Sequence, residues 1–294
     1  MNLYTHRWGF KNTHEQELGA SGADHGSGLP KHNLLLLHGM GGTGALWRPV
    51  ALSLETQWNV IAVDQRGHGK SLLTQEEQSA SMHTPLDYAQ DVVETLKNTP
   101  QVPTWVLGHS MGVRTALALA HLMPEWIQGL ILVDLGLSGL PGGSLGARLA
   151  EFLKLLPQGF SSLSDAQAFM KLHCPDPSMA QYLLAVAHRK ASGEIQFPFQ
   201  HSVLIQTNAS ASSAPLRSWA QEAAQHRIPI LFFRGAKSLV WTREDFQAEQ
   251  AAFAQFPEVQ FQEVEDAGHG LPFEKRVAFV EAMTRFCSRR WKTL

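Results

Sequence analysis

Two cysteines, Cys174 and Cys287, are all that the 294 residues contain, and they form neither a C-x-x-C pair nor a zinc-ligand spacing. A disulfide scaffold and a structural zinc site are therefore excluded, and the two thiols fit a reducing compartment. No apolar run is long enough to span a bilayer; residues 34–37 and 130–133 are among the longest. The first ten residues are polar and lack the apolar stretch of a signal peptide, so a cytoplasmic protein is expected. Neither sign of charge is in excess: 24 basic against 26 acidic residues give a net charge of −2, which argues against a nucleic-acid partner. No H-E-x-x-H appears, so a metal hydrolase receives little support. No internal repeat or long low-complexity tract is visible.

A hydrophobic fraction of 44% is enough for a sizeable core. Short apolar runs recur at residues 34–37, 60–63, 105–107 and 130–133, bounded by Gly, Asp or Asn. Runs of this kind are strands buried on both faces. Helical segments lie between them, at 45–55, 84–98 and 111–122. The second carries Thr84 as N-cap, Pro85 at the first helical position and Asp87 in the first turn. Alternating strands and helices imply a parallel sheet with helices on both faces.

From 137 to 227 the pattern breaks. The segment opens on Gly139, Pro141, Gly142 and Gly143 and reads as helix and loop, with no clear buried strand. Afterwards the alternation resumes: a strand at 228–233, a helix at 242–256, a strand at 259–264 and a last helix at 273–291. The expected organisation is an α/β core from 1–136 and 228–294, interrupted by a mainly helical cap. Residues 11–33 are polar and Gly-rich and are expected to form a surface loop.

The sharpest local signal is Gly108-His109-Ser110-Met111-Gly112, between an apolar strand and a helix. That is the context of a nucleophile elbow. A serine on a strained strand-to-helix turn is lifted clear of the sheet, and only residues almost without side chains fit two before and two after it. The helix N-terminus behind it favours developing negative charge. A serine needs a base. Of 14 histidines, His269 stands out, in Asp266-Ala267-Gly268-His269-Gly270 directly after the last strand. The carboxyl ends of strands are where open α/β sheets hold their sites. A third element, Leu37-His38-Gly39-Met40-Gly41-Gly42-Thr43-Gly44, also follows a strand. Its backbone amides suit an oxyanion, and the expected donor pair is the amides of Met40 and Met111. The loop lacks the Lys-Ser/Thr ending of a P-loop and the spacing of a dinucleotide site.

Together with Asp64-Gln65-Arg66-Gly67-His68-Gly69-Lys70-Ser71, these motifs resemble the α/β-hydrolase superfamily. The likeness is to its small soluble serine esterases with a G-H-S-M-G elbow, and it covers nearly the whole chain outside the insertion and the N-terminal loop. The resemblance implies an α/β-hydrolase fold and a Ser-His-Asp triad acting without a cofactor on a small-molecule ester. It implies a structural role for Asp64 and Arg66. Most members carry the triad acid just after the strand that follows the insertion, where this chain has Ser238. A minority take it from the preceding strand, which here ends in Asp134, 134 − 110 = 24 residues beyond the nucleophile. Asp134 is the expected acid; Glu244 and Asp245 are the runners-up.

The insertion's aromatic and aliphatic residues, with Trp47 and Trp241 nearby by pattern, suggest an apolar pocket. Arg148, Lys171, Arg189 and Lys190 read as solvated surface charge. The elbow does not separate esterases from thioesterases, lactonases, aminopeptidases, perhydrolases or carbon–carbon hydrolases. Epoxide hydrolases and haloalkane dehalogenases are disfavoured, because there a carboxylate stands in place of Ser110. A very slow or non-catalytic receptor on the same fold is the alternative of another class.

Overall fold

The computed structural model describes residues 1–10, 32–80, 83–97, 99, 104–137 and 144–289. A seven-stranded sheet forms its centre. In chain order the strands are β1 (Thr5–Trp8), β2 (His32–Leu37), β3 (Trp58–Val63), β4 (Thr104–His109), β5 (Ile127–Val133), β9 (Ile230–Gly235) and β10 (Val259–Val264). Their spatial order is β1-β3-β2-β4-β5-β9-β10. Only β1, on the edge, runs antiparallel, pairing Thr5 with Val63. The chain leaves β2 toward one edge through β3, then crosses back to β4 and continues toward the other. β2 and β4 therefore flank a topological switch point, where an open sheet presents a crevice at its carboxyl edge.

Successive residues of a strand point to opposite faces, and both faces of this sheet are covered. Leu35 and Leu37 pack into a core with helix α3 (Pro85–Leu96), α4 (Met111–Leu122), α9 (Leu216–Gln225) and α10 (Arg243–Ala252). Leu34 and Leu36 pack into the opposite one, with α1 (Arg48–Leu52) and α12 (Arg276–Ser288). All four leucines are essentially inaccessible, and each buried side chain contributes about 2 kcal/mol from lost apolar surface. Two smaller helices, α2 (Gln75–Ala80) and α11 (Leu271–Glu274), complete the core. α3 begins as its sequence specifies: Thr84 and Asp87 exchange hydrogen bonds in a capping box, with Pro85 at the first position.

The insertion contains α5 (Ser144–Leu155), α6 (Leu163–His173), α7 (Pro177–Val186) and α8 (His201–Ser210). It also forms a small antiparallel sheet from β6 (Gly159–Phe160), β7 (His188–Arg189) and β8 (Ile195–Gln196), in the order β6-β8-β7. These strands have two residues each, too short to leave an apolar run in the sequence. The layer has its own core, including Leu149, Phe152, Met170, Leu183 and Phe197.

Several expectations shift. α9 lies inside the segment expected to form the cap, yet Leu216, Trp219, Ala220, Ala223 and Ala224 belong to the core beneath the sheet. His32 and Asn33 are strand residues rather than loop, because β2 pairs with β3 from His32 onward; the remainder of the expected 11–33 loop, residues 11–31, lies outside the described residues. The helix expected over 45–55 starts as a 3-10 turn, Gly44–Trp47, before α1. The last helix is split at Lys275, whose φ of −124° interrupts α11 and α12.

Candidate active site

Ser110 closes β4 and opens α4, at φ 53° and ψ −117°. A non-glycine residue at positive φ is strained, and such strain collects at functional turns. What forces it is visible in the neighbours. A Cβ on Gly108 would lie 2.2 Å from the Gly112 carbonyl oxygen, and one on Gly112 would lie 2.3 Å from that of Leu37. Strand, helix and the adjacent strand thus meet at van der Waals distance, with the serine hydroxyl left projecting.

His269, on the loop after β10, brings Nε2 to 3.0 Å from Ser110 Oγ. Its Nδ1 lies 2.7 Å from Asp134 Oδ2. A carboxylate only accepts, so Nδ1 carries the proton and Nε2 is free to accept from the serine. Asp134 follows β5, has φ 54° and is fully buried. Its carboxylate is held twice more from the end of β9 and the loop that follows: Gly235 N donates to Oδ1 at 2.9 Å, and Ser238 Oγ donates to Oδ2 at 2.5 Å. Ser238 is the position at which the motif resemblance implies an acid. Glu244 and Asp245 are exposed in the first turn of α10, where Asp245 caps the helix with Thr242, and neither is brought to His269.

Three buried histidines hold the loops around this chain. His38 donates through Nδ1 to the Gly39 carbonyl at 2.8 Å and accepts from the Gln65 amide at 2.9 Å. His68 donates through Nδ1 to the Arg66 carbonyl at 2.9 Å and accepts from the Gly41 amide at 3.1 Å. His109, directly before Ser110, donates through Nε2 to the backbone carbonyl of His269 at 2.7 Å and so pins the loop that carries His269. Burial lowers all three below the 6.5 of an exposed imidazole, to about 4 for His38 and about 3 for His68 and His109. All are neutral at pH 7, as the acceptor roles of His38 and His68 require. Sequence reading passed over them; a histidine directly before the nucleophile was the only signal for His109.

The motif starting at Asp64 ties the same loops together. Asp64 accepts from the Gly44 amide at 2.7 Å and the Lys70 amide at 2.9 Å. Arg66 makes a two-pronged pair with Asp91, at 2.6 and 2.9 Å. Gly69, at φ +55°, is glycine because a Cβ there would lie 2.2 Å from the Asp64 carboxylate. Glu274 of α11 accepts from the amides of Gly268, at 2.6 Å, and Gly270, at 3.2 Å, on either side of His269.

Met40 and Met111 both line the cavity above Ser110, and within the described residues neither backbone amide donates to a protein group. The cavity has a volume of about 760 Å³ including its open mouth. The sheet's carboxyl edge forms its floor, with Ser110 and His269. The insertion forms its roof, through Leu149, Phe152, Leu153, Met179, Tyr182 and Leu183. Tyr182 also donates to the Gly39 carbonyl at 3.3 Å and fills the space a side chain on Gly42 would need. Trp47 and Trp241 do not line the cavity, contrary to expectation: Trp47 packs on Phe273 and Trp241 on Phe246, both deep in the core. Arg148, Lys171, Arg189 and Lys190 are exposed.

Comparison with known proteins agrees with this architecture. Residues 33–276 match the family described as the alpha/beta hydrolase fold. The chain is 27% identical over 262 residues to the sn-1-specific diacylglycerol lipase ABHD11 of Mus musculus, covering 86% of this chain and 80% of that protein. It is 26% identical over 259 residues to the esterase YbfF of Escherichia coli, covering 87% and 94%. Among solved structures, E-2-(acetamidomethylene)succinate hydrolase superposes with a TM-score of 0.71 at 22% identity, over 88% of this chain and 92% of that one. A marine microorganism esterase superposes with a TM-score of 0.68 at 20% identity, over 97% and 99%. The chain belongs to the α/β-hydrolase fold family and is a hydrolase. No helix among the described residues is long and apolar enough to cross a membrane.

Proposed function

We propose that this α/β-hydrolase is a serine hydrolase that cleaves carboxylic esters of small molecules through an acyl-enzyme intermediate. The observation that carries the reading is the unbroken chain Ser110 Oγ–His269 Nε2, 3.0 Å, and His269 Nδ1–Asp134 Oδ2, 2.7 Å, on the floor of a largely apolar cavity. The named activities of the relatives, an esterase and a lipase, point the same way.

In this mechanism His269 Nε2 takes the hydroxyl proton as Ser110 Oγ bonds to the ester carbonyl carbon. Negative charge collects on the carbonyl oxygen, and the Met40 and Met111 amides donate to it. Asp134 holds the reacting tautomer of His269 and stabilises its imidazolium form. The tetrahedral adduct collapses, the carbon–oxygen bond to the alcohol breaks, and His269 returns its proton to the departing alkoxide. Water then attacks the acyl-Ser110 ester with His269 again as base, and the acid leaves. The mechanism uses no cofactor. The insertion acts as the cap that shields the acyl-enzyme and shapes the acyl pocket. We place the protein in the cytoplasm on its composition.

Hydrolysis of p-nitrophenyl esters from acetate to laurate tests this, with Ser110→Ala as control. Turnover by the wild type that Ser110→Ala and His269→Ala abolish supports the triad, and rapid labelling of Ser110 by a fluorophosphonate excludes the receptor alternative. Turnover that survives in Ser110→Ala sinks the reading.

A further inference from the structure

Arg114 lies on α4, one turn beyond Ser110, and borders the same cavity. It is only 3% exposed. Its Nε and Nη1 are buried without a hydrogen-bond partner, and among the described residues it forms no ion pair. Two comparable arginines are satisfied: partly buried Arg66 by Asp91, and buried Arg234 by Glu263 and the Trp241 carbonyl. Removing a guanidinium from water without a counterion costs several kcal/mol. Burial depresses its pKa, but only to about 10, so it keeps its charge at neutral pH. The ionisable group that most influences it is Tyr88, whose hydroxyl is engaged with Thr207 at 2.8 Å. Asp176, also on the cavity wall, is buried as well; its Oδ1 accepts from the Met179 amide at 2.8 Å in the cap of α7, and it forms no ion pair with Arg114.

A cation that persists unpaired in a mainly apolar cavity, with Asp176 on the same wall not paired to it, needs its anion from outside the chain. We infer that Arg114 is a substrate-binding residue that receives a carboxylate, and that the substrates are esters bearing a free acid on the acyl part. The inference rests on the serine-hydrolase reading for the reacting atoms, not for the anion site. Arg114 is four positions beyond Ser110, a rise of about 6 Å along the helix axis. An acid a few carbons from the ester carbonyl spans that separation with the carbonyl at Ser110 and the carboxylate in the planar fork of the guanidinium.

The test compares p-nitrophenyl monoesters of succinic, glutaric and adipic acid with the uncharged butyrate, pentanoate and hexanoate esters, in wild type, Arg114→Met and Arg114→Lys. We expect the wild type to favour one acid-bearing ester over its neutral counterpart. That selectivity falls by about 10- to 100-fold in Arg114→Met, mainly through KM, as expected for one or two charge-assisted hydrogen bonds, and Arg114→Lys restores part of it. Calorimetric titration of Ser110→Ala with glutarate gives a readout independent of turnover: binding is expected, and is lost in Ser110→Ala/Arg114→Met. Because Met removes an unpaired charge, that variant is expected to melt no lower than its parent. Equal selectivity in wild type and Arg114→Met, or glutarate binding that ignores Arg114, overturns the inference. Ester turnover that survives in Ser110→Ala defeats the serine-hydrolase reading instead, and the titration still decides the anion site.

Discussion

Ser238 donates to the same oxygen of Asp134, Oδ2, that receives His269 Nδ1. The proposed acid, Asp134, stands at the end of β5, and Ser238, after β9, supplies a hydroxyl to it. Two loop ends, after β5 and after β9, therefore converge on one histidine. Asp134→Asn is expected to lower kcat by about four orders of magnitude, since an amide favours the wrong imidazole tautomer. Adding Ser238→Asp to that variant puts a carboxylate within reach of His269 from the neighbouring strand. The double variant is expected to recover at least about tenfold of the lost rate. Steady-state kinetics of the three proteins decide it; no recovery in a folded double variant would show that the two strand ends are not interchangeable.

Gly112 tests whether the elbow is sterically full. Its absent Cβ would lie 2.3 Å from the Leu37 carbonyl oxygen, and backbone cannot swing aside as a side-chain tip does. Gly112→Ala is expected to push β2 and α4 apart, lowering stability by about 2 kcal/mol or more and disabling the site. Denaturant unfolding and ester turnover measure the two losses together. An alanine variant with wild-type stability and rate would mean that the crowding is relieved more easily than the geometry indicates.

The three buried histidines give stability a pH dependence of definite sign. Their folded values, about 4 for His38 and about 3 for His68 and His109, lie below the 6.5 of an unfolded histidine. Below pH 6.5 the unfolded chain therefore binds more protons than the native one, and stability falls as pH falls toward the folded values. Each contributes a slope on the order of 1 kcal/mol per pH unit across that window. Melting temperature is expected to drop steadily between pH 7 and pH 4. His68→Gln, whose amide can still donate to the Arg66 carbonyl and accept from the Gly41 amide, is expected to flatten the curve. A melting temperature independent of pH over that range would contradict the neutral state assigned to these rings.

Much of this was legible in one sequence. A run such as Leu34-Leu35-Leu36-Leu37 has no polar side, so it belongs to a strand covered on both faces. Gly108 and Gly112 announce the elbow because no larger residue fits around a serine on that turn. Strand–helix alternation then sends Ser110, Asp134 and His269 to one edge of the sheet, since parallel strands all end there. Local rules of periodicity, capping and turn sterics suffice for these features.

What the sequence could not decide depends on residues far apart meeting. That Asp134, rather than Glu244 or Asp245, stands beside His269 follows from the order β5-β9-β10, which sets the ends of three strands side by side. The two-residue strands of the insertion, and the attachment of α9 to the core, follow from packing partners rather than from any periodic signal. Trp47 and Trp241 have the same apolar character whether they face a cavity or a core, and only the surrounding elements choose between them. His109 is one histidine among 14 until its ring meets the His269 carbonyl, 160 residues away. Arg114 reads as an ordinary helix residue until tertiary structure buries its guanidinium and gives it no anion among the described residues. Sequence determines which groups exist and which local turns they form; the tertiary fold decides which of them share a low-dielectric space, and that sharing sets their charges, their partners and their chemistry.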